Sequence, residues 1–457
     1  MIDSQDETAV QRFYAMLVDA WQHAGTRQRL FALAVPMILS NLSVPLVALV
    51  DSAVVGRLPH AYQLGAVAVG GSIYTMLVWT CGFLRMGSTG FAAQAAGRND
   101  QQALRYILLQ SLLLVVVLSV LCLAIALPLL PYILAWMDTS GDLQALAQQY
   151  VLIRLYGLPA ALMMHVLAGW LLGLQNARAA LWMLLLANSI NIVLDIYFVF
   201  GLHWEVAGAA RASVIAEWSG ALLGLFLAWR YVDKGPLLNF WQHLMRWSNW
   251  RPLLAVNRDI LIRSLALQAV FFSVTFQGAR LGDNTVAANA LLLNGLLICS
   301  YALDGLAHAL EALTGHALGQ QDQRALQRAL CLVSMYSLLA SCVFAVLFWL
   351  FGDLFIALQT NIQSVQETAS GYLIYLALLP LITVWSYVMD GLFIGATRAR
   401  EMRNSMLLAV VVCAPLAWLL QGLGNHGLWI AFLLFMALRA AFLGISARHL
   451  PSWFAST

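Results

Sequence analysis

Charged residues are scarce in this chain of 457 residues. Asp, Glu, Lys and Arg make up 10% of it, whereas hydrophobic residues make up 62%. Soluble globular proteins contain about 25% charged residues, so a soluble globular fold is excluded. The formal net charge is only +3, and the basic residues follow the topological pattern described below. No nucleic-acid partner is therefore expected.

Several chemical signatures are also missing. No Gly-Lys-Ser/Thr phosphate-binding motif occurs, so ATP is not expected to drive the protein. No set of His, Cys and Glu residues has the spacing of metal ligands, and the six cysteines lie in apolar runs without a Cys-x-x-Cys pair. The sequence contains no nucleophile and base in an arrangement that would indicate a membrane enzyme. We therefore expect no enzymatic activity, no metal and no organic cofactor.

Long apolar runs are abundant instead. A run of about 20 apolar residues is long enough to cross the hydrocarbon core of a bilayer, and short alternating segments typical of a β-barrel are absent. The sequence predicts an all-α integral membrane protein with twelve transmembrane helices. Their centres lie near Val44, Met76, Val116, Leu162, Ile190, Leu222, Val270, Leu296, Val343, Leu378, Ala409 and Phe435.

A repeat with an offset of 222 residues relates the two halves of the chain. Gly169 and Gly173 recur as Gly391 and Gly395, and the segment that begins at Asp100 recurs at Asp322. Six spans in each half require both halves to enter the membrane from the same side, which predicts two pseudo-symmetric six-helix lobes in a parallel repeat. The predicted segments are a tail at 1–27, an N-terminal lobe at 28–230, an interfacial linker at 231–256, a C-terminal lobe at 257–449 and a tail at 450–457.

Basic residues cluster in alternate connections between the spans. By the positive-inside rule, this pattern places both termini in the cytoplasm. The first 27 residues lack the basic start of a cleavable signal peptide, so the first span is expected to be its own insertion signal. The linker combines Trp, Leu and Arg at helical spacing, which is typical of a segment lying at the membrane surface.

Asp51 is the first of the charged residues inside predicted spans, and such residues are functional candidates because burying a charge in the membrane is costly. Pro36 lies fifteen residues earlier in the same span. A proline inside a helix removes a backbone hydrogen bond and kinks the helix. A kinked helix with a buried acid can couple protonation to bending. The alternative is that Asp51 lies at the outer mouth and pairs with Arg57.

Asp195 shares one helix face with Asn191 and Asn188, four and seven residues earlier. Three polar groups on one face cannot point into lipid without a large penalty, so they are expected to face the bundle interior. A polar clamp between helices is the alternative.

Weaker candidates for a substrate or secondary ion site occur in other spans. Ion-pair scaffolding explains them equally well, and Arg85 and Arg211 are candidate partners for the acids. The set comprises Ser213, Glu217, His165, Arg85, Asp304, His308, Glu311, Ser386 and Asp390.

These features together resemble the multidrug and toxic compound extrusion family, and more closely its DinF-like branch. The resemblance covers nearly the whole chain after the N-terminal tail. It rests on Pro36, on Asp51-x-x-x-Val-Gly-Arg57, on Gln94-x-x-Gly97, on Phe83-Leu-Arg-Met86, on Asp304-Gly305, on the repeated Gly-x-x-x-Gly-x-x-x-Ala-Arg, and on Glu401-Met-Arg-Asn-Ser-Met406.

The resemblance implies a cation-coupled exporter with a V-shaped pair of lobes around a central cleft. In bacterial members of this branch, acids on the first and fifth spans form a protonation site, which corresponds to Asp51 and Asp195 with Asn191 beside them. Protonation would bend the first span near Pro36 and release the substrate. Other branches bind sodium in the C-terminal lobe, so Glu311 and Asp390 keep sodium coupling open.

The expected activity is proton-driven antiport of amphipathic, often cationic, organic compounds across a bacterial inner membrane, with a monomer in contact with membrane lipid. A sodium-coupled exporter and a lipid-linked flippase are the alternatives. The flippase would need a strongly cationic cavity, whereas the intramembrane residues singled out here are mainly acidic.

Overall fold

Helices account for nearly all of the described backbone in this computed structural model, which covers residues 18–137, 140–232 and 244–454. No strand occurs within these ranges. The helices, numbered in chain order, are α1 (Ala24–Val55), α2 (Ala61–Thr80), α3 (Phe83–Gly97), α4 (Gln101–Trp136), α5 (Gly141–Leu155), α6 (Leu158–Gly173), α7 (Ala177–Ile196), α8 (Glu205–Trp229), α9 (Arg251–Arg280), α10 (Asp283–Gly319), α11 (Gln323–Ala357), α12 (Gln363–Ser370), α13 (Leu373–Gly395), α14 (Ala399–Leu419) and α15 (Asn425–Ala447).

Membrane spans form where the sequence predicts them. Over the described residues, eleven segments are long and apolar enough to cross a bilayer, and α2 and α3 together form one of them. The pair α5 and α6, which meet at a bend of 49°, completes a set of twelve. The outward faces carry large apolar side chains such as Val120 and Leu49, which suits contact with lipid rather than water. The predicted fold class is confirmed.

The chain divides into two compact units. The N-terminal unit comprises Leu39–Leu254, and the C-terminal unit comprises Met1–Ile38 together with Ala255–Thr457. The division falls inside α1, two residues after Pro36, although the sequence pattern suggests that the whole first span belongs to the N-terminal lobe. The chain packs this way because the first half of α1 contacts the second half of the protein.

Close packing at a glycine produces that contact. A Cβ atom on Gly305 of α10 would lie 2.9 Å from the backbone nitrogen of Ile38 in α1, so only a glycine lets the helices approach this closely. Nearer the N-terminus, Arg328 donates hydrogen bonds of 2.7 and 3.1 Å to the carboxylate of Asp19. These bonds lower the pKa of Asp19, which precedes the first span. Trp21 also stacks on Tyr336.

The 222-residue repeat extends to backbone detail. Asp100 caps α4 by accepting a hydrogen bond from the amide of Ala103 at 2.9 Å, and Asp322 caps α11 through the amide of Ala325 at the same distance. The residue before each cap is left-handed: Asn99 has φ 55° and Gln321 has φ 58°. A second such pair is Gln175 and Thr397. The two halves therefore share turn geometry even where the side chains differ.

The repeated glycine pairs are packing contacts, as the sequence suggests. A Cβ atom on Gly173 of α6 would lie 2.7 Å from the Cβ of Ala92 in α3, and one on Gly391 of α13 would lie 2.6 Å from the carbonyl oxygen of Ala307 in α10. Each pair lets a helix of the fourth or tenth span approach its neighbour at backbone distance.

Parts of the predicted termini and linker, namely 1–17, 233–243 and 455–457, fall outside the described residues, as do residues 138–139 between α4 and α5. The described end of the linker contains a short 3₁₀ turn at Trp247–Asn249. Met245 and Trp247 beside it are exposed, and the indole of Trp250 donates to the carbonyl of Leu244 at 3.0 Å. An interfacial position for the linker stays a prediction.

The glycine contacts predict a selective loss of stability. Replacing Gly173 or Gly395 with Ala should destabilise the protein by about 1–3 kcal/mol, because the added methyl group meets a neighbouring helix. Gly71→Ala and Gly444→Ala are matched controls, since no atom lies within 4 Å of their added Cβ. Thermal unfolding in detergent measures the effect. Equal melting temperatures for the two groups would contradict the packing role.

Candidate functional site

Asp51 and Asp195 lie side by side in the interior of the N-terminal unit. Asp51 comes from the second half of α1 and Asp195 from the end of α7, just before the π-helical turn Tyr197–Gly201. Their carboxyl groups interact directly, and Asp195 is only 1% exposed. Apart from the facing carboxyl of Asp51, no hydrogen-bond donor among the described residues reaches either oxygen of Asp195. We call Asp51 and Asp195 the aspartate pair.

Over the described residues, amides and hydroxyls on α1, α7 and α8 bond to each other and not to the pair. The side-chain amide of Asn191 donates to the hydroxyl of Ser213 at 3.1 Å. Asn188 donates to the hydroxyl of Ser43 at 2.9 Å, which ties α7 to α1. Asn188 is thus engaged as an interhelical clamp, whereas the buried carbonyl oxygen of Asn191 has no donor among the described residues. No ion pair joins Asp51 to Arg57 over the same ranges, contrary to the outer-mouth alternative.

The bend between α5 and α6 shapes a second acidic position in the same unit. The break frees the carbonyl of Tyr156, which accepts a hydrogen bond of 3.1 Å from the indole of Trp218 in α8. The neighbouring Glu217 then lies against Gly157, where any Cβ atom would overlap its carboxylate. A glycine at the bend therefore makes room for a buried carboxylate.

Arg154 of α5 and Tyr74 of α2 enclose that carboxylate. Arg154 donates from Nη2 to Oε1 of Glu217 at 2.9 Å, and the hydroxyl of Tyr74 donates to both oxygens at 3.1 and 3.0 Å. The Arg154 guanidinium also lies over the Tyr74 ring, 4.0 Å from its centroid. We call Glu217 and Tyr74 the cation cage. Its present occupant is Arg154.

Asp390 has a different environment in the C-terminal unit. Arg263 of α9 and Arg439 of α15 both form ion pairs with the Oδ2 atom of Asp390 on α13. All three residues are buried, at 5%, 5% and 7% exposure for Arg263, Arg439 and Asp390 respectively. Burying three charges is tolerable here because opposite charges meet directly. Two arginines therefore neutralise Asp390, unlike the aspartate pair.

The other candidate acids of this unit, Asp304 and Glu311, are also engaged. His308 and Glu311 are joined by a 3.1 Å contact between Nδ1 and Oε1. Asp304 lies near enough to Arg263 for their charges to interact. Ser386 donates to the carbonyl of Met436 at 3.1 Å.

The basic candidates of the N-terminal unit occupy other positions. Arg211 is exposed and lies over the ring of Trp204, 4.7 Å from its centroid. His165 is half-buried near Arg85, whose charge acts on it. Arg211 is therefore not the partner of an intramembrane acid in this structure.

The counter-ions that do matter were missed by sequence reasoning. The sequence pattern singles out none of Arg154, Arg263 and Arg439 as a functional candidate. A signal was available for two of them, because Arg263 and Arg439 stand inside apolar runs, where a lone basic residue needs an acidic partner. Their partner on another helix cannot be read from one-dimensional spacing.

Twelve spans in two repeated halves, each with polar groups buried at membrane depth, define a multi-pass membrane protein of the repeat-built transporter class. The comparisons with known proteins agree. The family model MatE matches residues 36–197 and again residues 260–419, one match in each half.

The DNA damage-inducible protein F of Escherichia coli (strain K12) is 43% identical over 94% of each chain. Two solved structures share the fold: a MATE protein in the bent conformation, with a TM-score of 0.86 at 21% identity, covering 94% of this chain and 96% of that one, and the outward-facing conformation of a multidrug resistance MATE family transporter of the MOP superfamily, with a TM-score of 0.84 at 22% identity, covering 94% and 97%. This chain belongs to the MatE family of membrane transporters.

Neutralising Asp390 and neutralising Asp195 should change the stability of the protein in different ways. Asp390→Asn should destabilise the protein by about 3–5 kcal/mol, because it leaves two buried arginines without their counter-ion. The matched change Asp195→Asn should leave stability unchanged or slightly raised, because no cation among the described residues is bonded to Asp195. Unfolding followed by tryptophan fluorescence compares them. Equal destabilisation by both variants would contradict the assignment.

Proposed function

We propose that the protein is a proton-coupled antiporter that exports amphipathic, often cationic, organic compounds. The observation that carries the proposal is the aspartate pair. Two carboxyl groups face each other, Asp195 buried and Asp51 half-buried, and neither oxygen of Asp195 has another donor among the described residues. Two adjacent carboxylates repel each other in a low-dielectric interior, and a shared proton both removes one charge and supplies the missing donor.

Antiport follows from competition for negative charge. With the aspartate pair deprotonated, the interior of the N-terminal unit attracts an organic cation. Protonation of the pair weakens that attraction and favours release. The multidrug resistance transporter with the same fold supports drug-like substrates, and we assign the same broad class to this chain.

We further propose that α1 bends near Pro36 when the pair is protonated. Asp51 lies in the half of α1 that belongs to the N-terminal unit, and the half before Leu39 packs with the C-terminal unit. Pro36 lies two residues before that division and removes one backbone hydrogen bond from the helix. A change at Asp51 can therefore alter the helix where its backbone is weakest.

Sodium coupling at Asp390 is less well supported. Sodium, a hard cation, is held by several oxygen ligands, but Oδ2 of Asp390 already accepts from two arginines. Glu311 is in contact with His308. The lipid-linked flippase is disfavoured for a related reason, since the positive charge of Arg263 and Arg439 is offset by Asp390 and the nearby Asp304. We place the protein in a bacterial inner membrane as a monomer surrounded by lipid, with both termini in the cytoplasm.

Neutralising the aspartate pair should abolish proton-driven export. In inside-out vesicles, Asp51→Asn and Asp195→Asn should each reduce ΔpH-driven uptake of a cationic dye by at least about tenfold, because the coupling proton loses its binding site. Asp142→Asn, an exposed position on α5, is the control and should transport normally. A sodium gradient with pH clamped should drive no uptake. Undiminished ΔpH-driven transport in both pair variants would refute the coupling site.

Bending of α1 can be measured within that helix. Spin labels at Gln28 and Leu49, two exposed positions on either side of Pro36, would be separated by about 30 Å in a straight helix. In a cysteine-free background, acidification should shorten this distance, and Pro36→Ala should reduce the change. An identical distance at all pH values would show that protonation does not bend α1.

A further inference from the structure

Arg154 occupies a site with the features that recognise an organic cation. A carboxylate lies on one side of its guanidinium, 2.9 Å away, and an aromatic face lies on the other, 4.0 Å from the ring centroid. A carboxylate combined with an aromatic ring is how proteins hold quaternary ammonium and guanidinium groups. Tyr74, which is only 2% exposed, also fixes both oxygens of Glu217. The cage is therefore already shaped for a cation.

The hydrogen bonding of Arg154 is incomplete. A guanidinium has five N–H donors, yet its Nε and Nη1 atoms are buried with no acceptor among the described residues. Across the same interior, Oδ1 of Asp51 and both oxygens of Asp195 have no donor apart from each other over those ranges. The charge of Arg154 acts on both aspartates. One cation thus has two sets of carboxylates within its electrostatic reach.

We propose that Arg154 is a tethered cation that the transported organic cation replaces at Glu217 and Tyr74. When the aspartate pair holds a proton, its charge is small and Arg154 stays in the cage. When the proton leaves, the doubly negative pair attracts Arg154, and the cage becomes free for substrate. This inference rests on the proposed proton antiport and names the place where the charge of the substrate binds.

The balance of charges in the cluster supports this exchange. Five helices contribute the titratable and charged groups that face one another: Asp51 from α1, Tyr74 from α2, Tyr150 and Arg154 from α5, Asp195 from α7 and Glu217 from α8. Three carboxylates and one arginine carry a net charge of −2 when no proton is bound. One bound cationic substrate, or one bound proton, reduces it to −1. Arg154 links the two events because it can neutralise only one carboxylate site at a time.

The cage also indicates the class of substrate. Its surfaces are one carboxylate and one flat ring, and the carboxylate packs against Gly157. We expect amphipathic monocations with a delocalised or shielded charge, which lose little hydration energy on burial. Ethidium is such a compound and its fluorescence reports binding.

The test is ethidium binding to the purified full-length protein over a pH series. Wild-type affinity should fall as the pH falls. Glu217→Gln should weaken binding by at least about tenfold at every pH, because the cage loses its charge. Arg154→Gln should bind ethidium at acidic pH and lose most of the pH dependence, because the cage is then always free. Arg211→Gln is the control, because Arg211 lies over the ring of Trp204 and forms no ion pair with an acid among the described residues. This variant should bind ethidium as the wild type does.

A combination of variants separates this inference from the proposed function. Asp51→Asn with Asp195→Asn imitates the protonated pair and should bind ethidium poorly, and adding Arg154→Gln to it should restore binding. In one alternative, the carboxylates of the aspartate pair hold the substrate themselves. The triple variant will then still bind ethidium poorly, and Glu217→Gln will bind it normally. That result overturns this inference but not the proposed function. If the proposed proton site is wrong, the Asn variants and pH will have no effect, while Glu217→Gln will still abolish binding.

A double variant in which both members of the ion pair are neutral is the control for loss of folding. Arg154→Gln combined with Glu217→Gln leaves no unpaired charge in the cage. This variant should fold, retain the aspartate pair and bind ethidium weakly at every pH. Wild-type affinity in this variant would overturn the assignment of the cage.

Discussion

A charge buried in a membrane protein has to be paired or neutralised, because its transfer from water into a low-dielectric interior is costly. The interior of this transporter meets that requirement in different ways. Asp390 has two arginines, and Glu217 has one arginine and a tyrosine hydroxyl. Asp51 and Asp195 have mainly each other. The group with the least complete neutralisation is the one whose charge a proton or substrate can most easily change.

Gene duplication explains the scaffold but not this chemistry. The helix caps, left-handed turns and glycine contacts recur at the 222-residue offset. The intramembrane acids do not: Asp195 corresponds to Ala417, and Asp390 to Ala168. Close packing at glycines limits what a helix can change on its contact face. The interior faces carry no such restriction, so the two units could acquire different charge balances on one backbone plan.

Local breaks in the helices bring the functional groups together. The bend at Gly157 exposes a carbonyl that binds Trp218 and leaves room for Glu217. The π-helical turn follows immediately after Asp195. In α1, Pro36 lies beside the division between the two units. Each irregularity costs backbone hydrogen bonding. The first two adjoin residues assigned to cation or proton binding, and the third lies in the same helix as Asp51.

The sequence by itself determined the membrane class, the twelve spans and the duplication, because hydrophobic length and repeated motifs are properties of the chain read in one dimension. It also selected Asp51, Asp195 and Asn191 as residues that had to face the interior. Only the tertiary structure decided which charges meet. Arg154 meets Glu217 and Arg439 meets Asp390 across 63 and 49 positions of sequence, so no local spacing relates them. Pairing between helices depends on how those helices pack, and packing is set by the whole bundle at once.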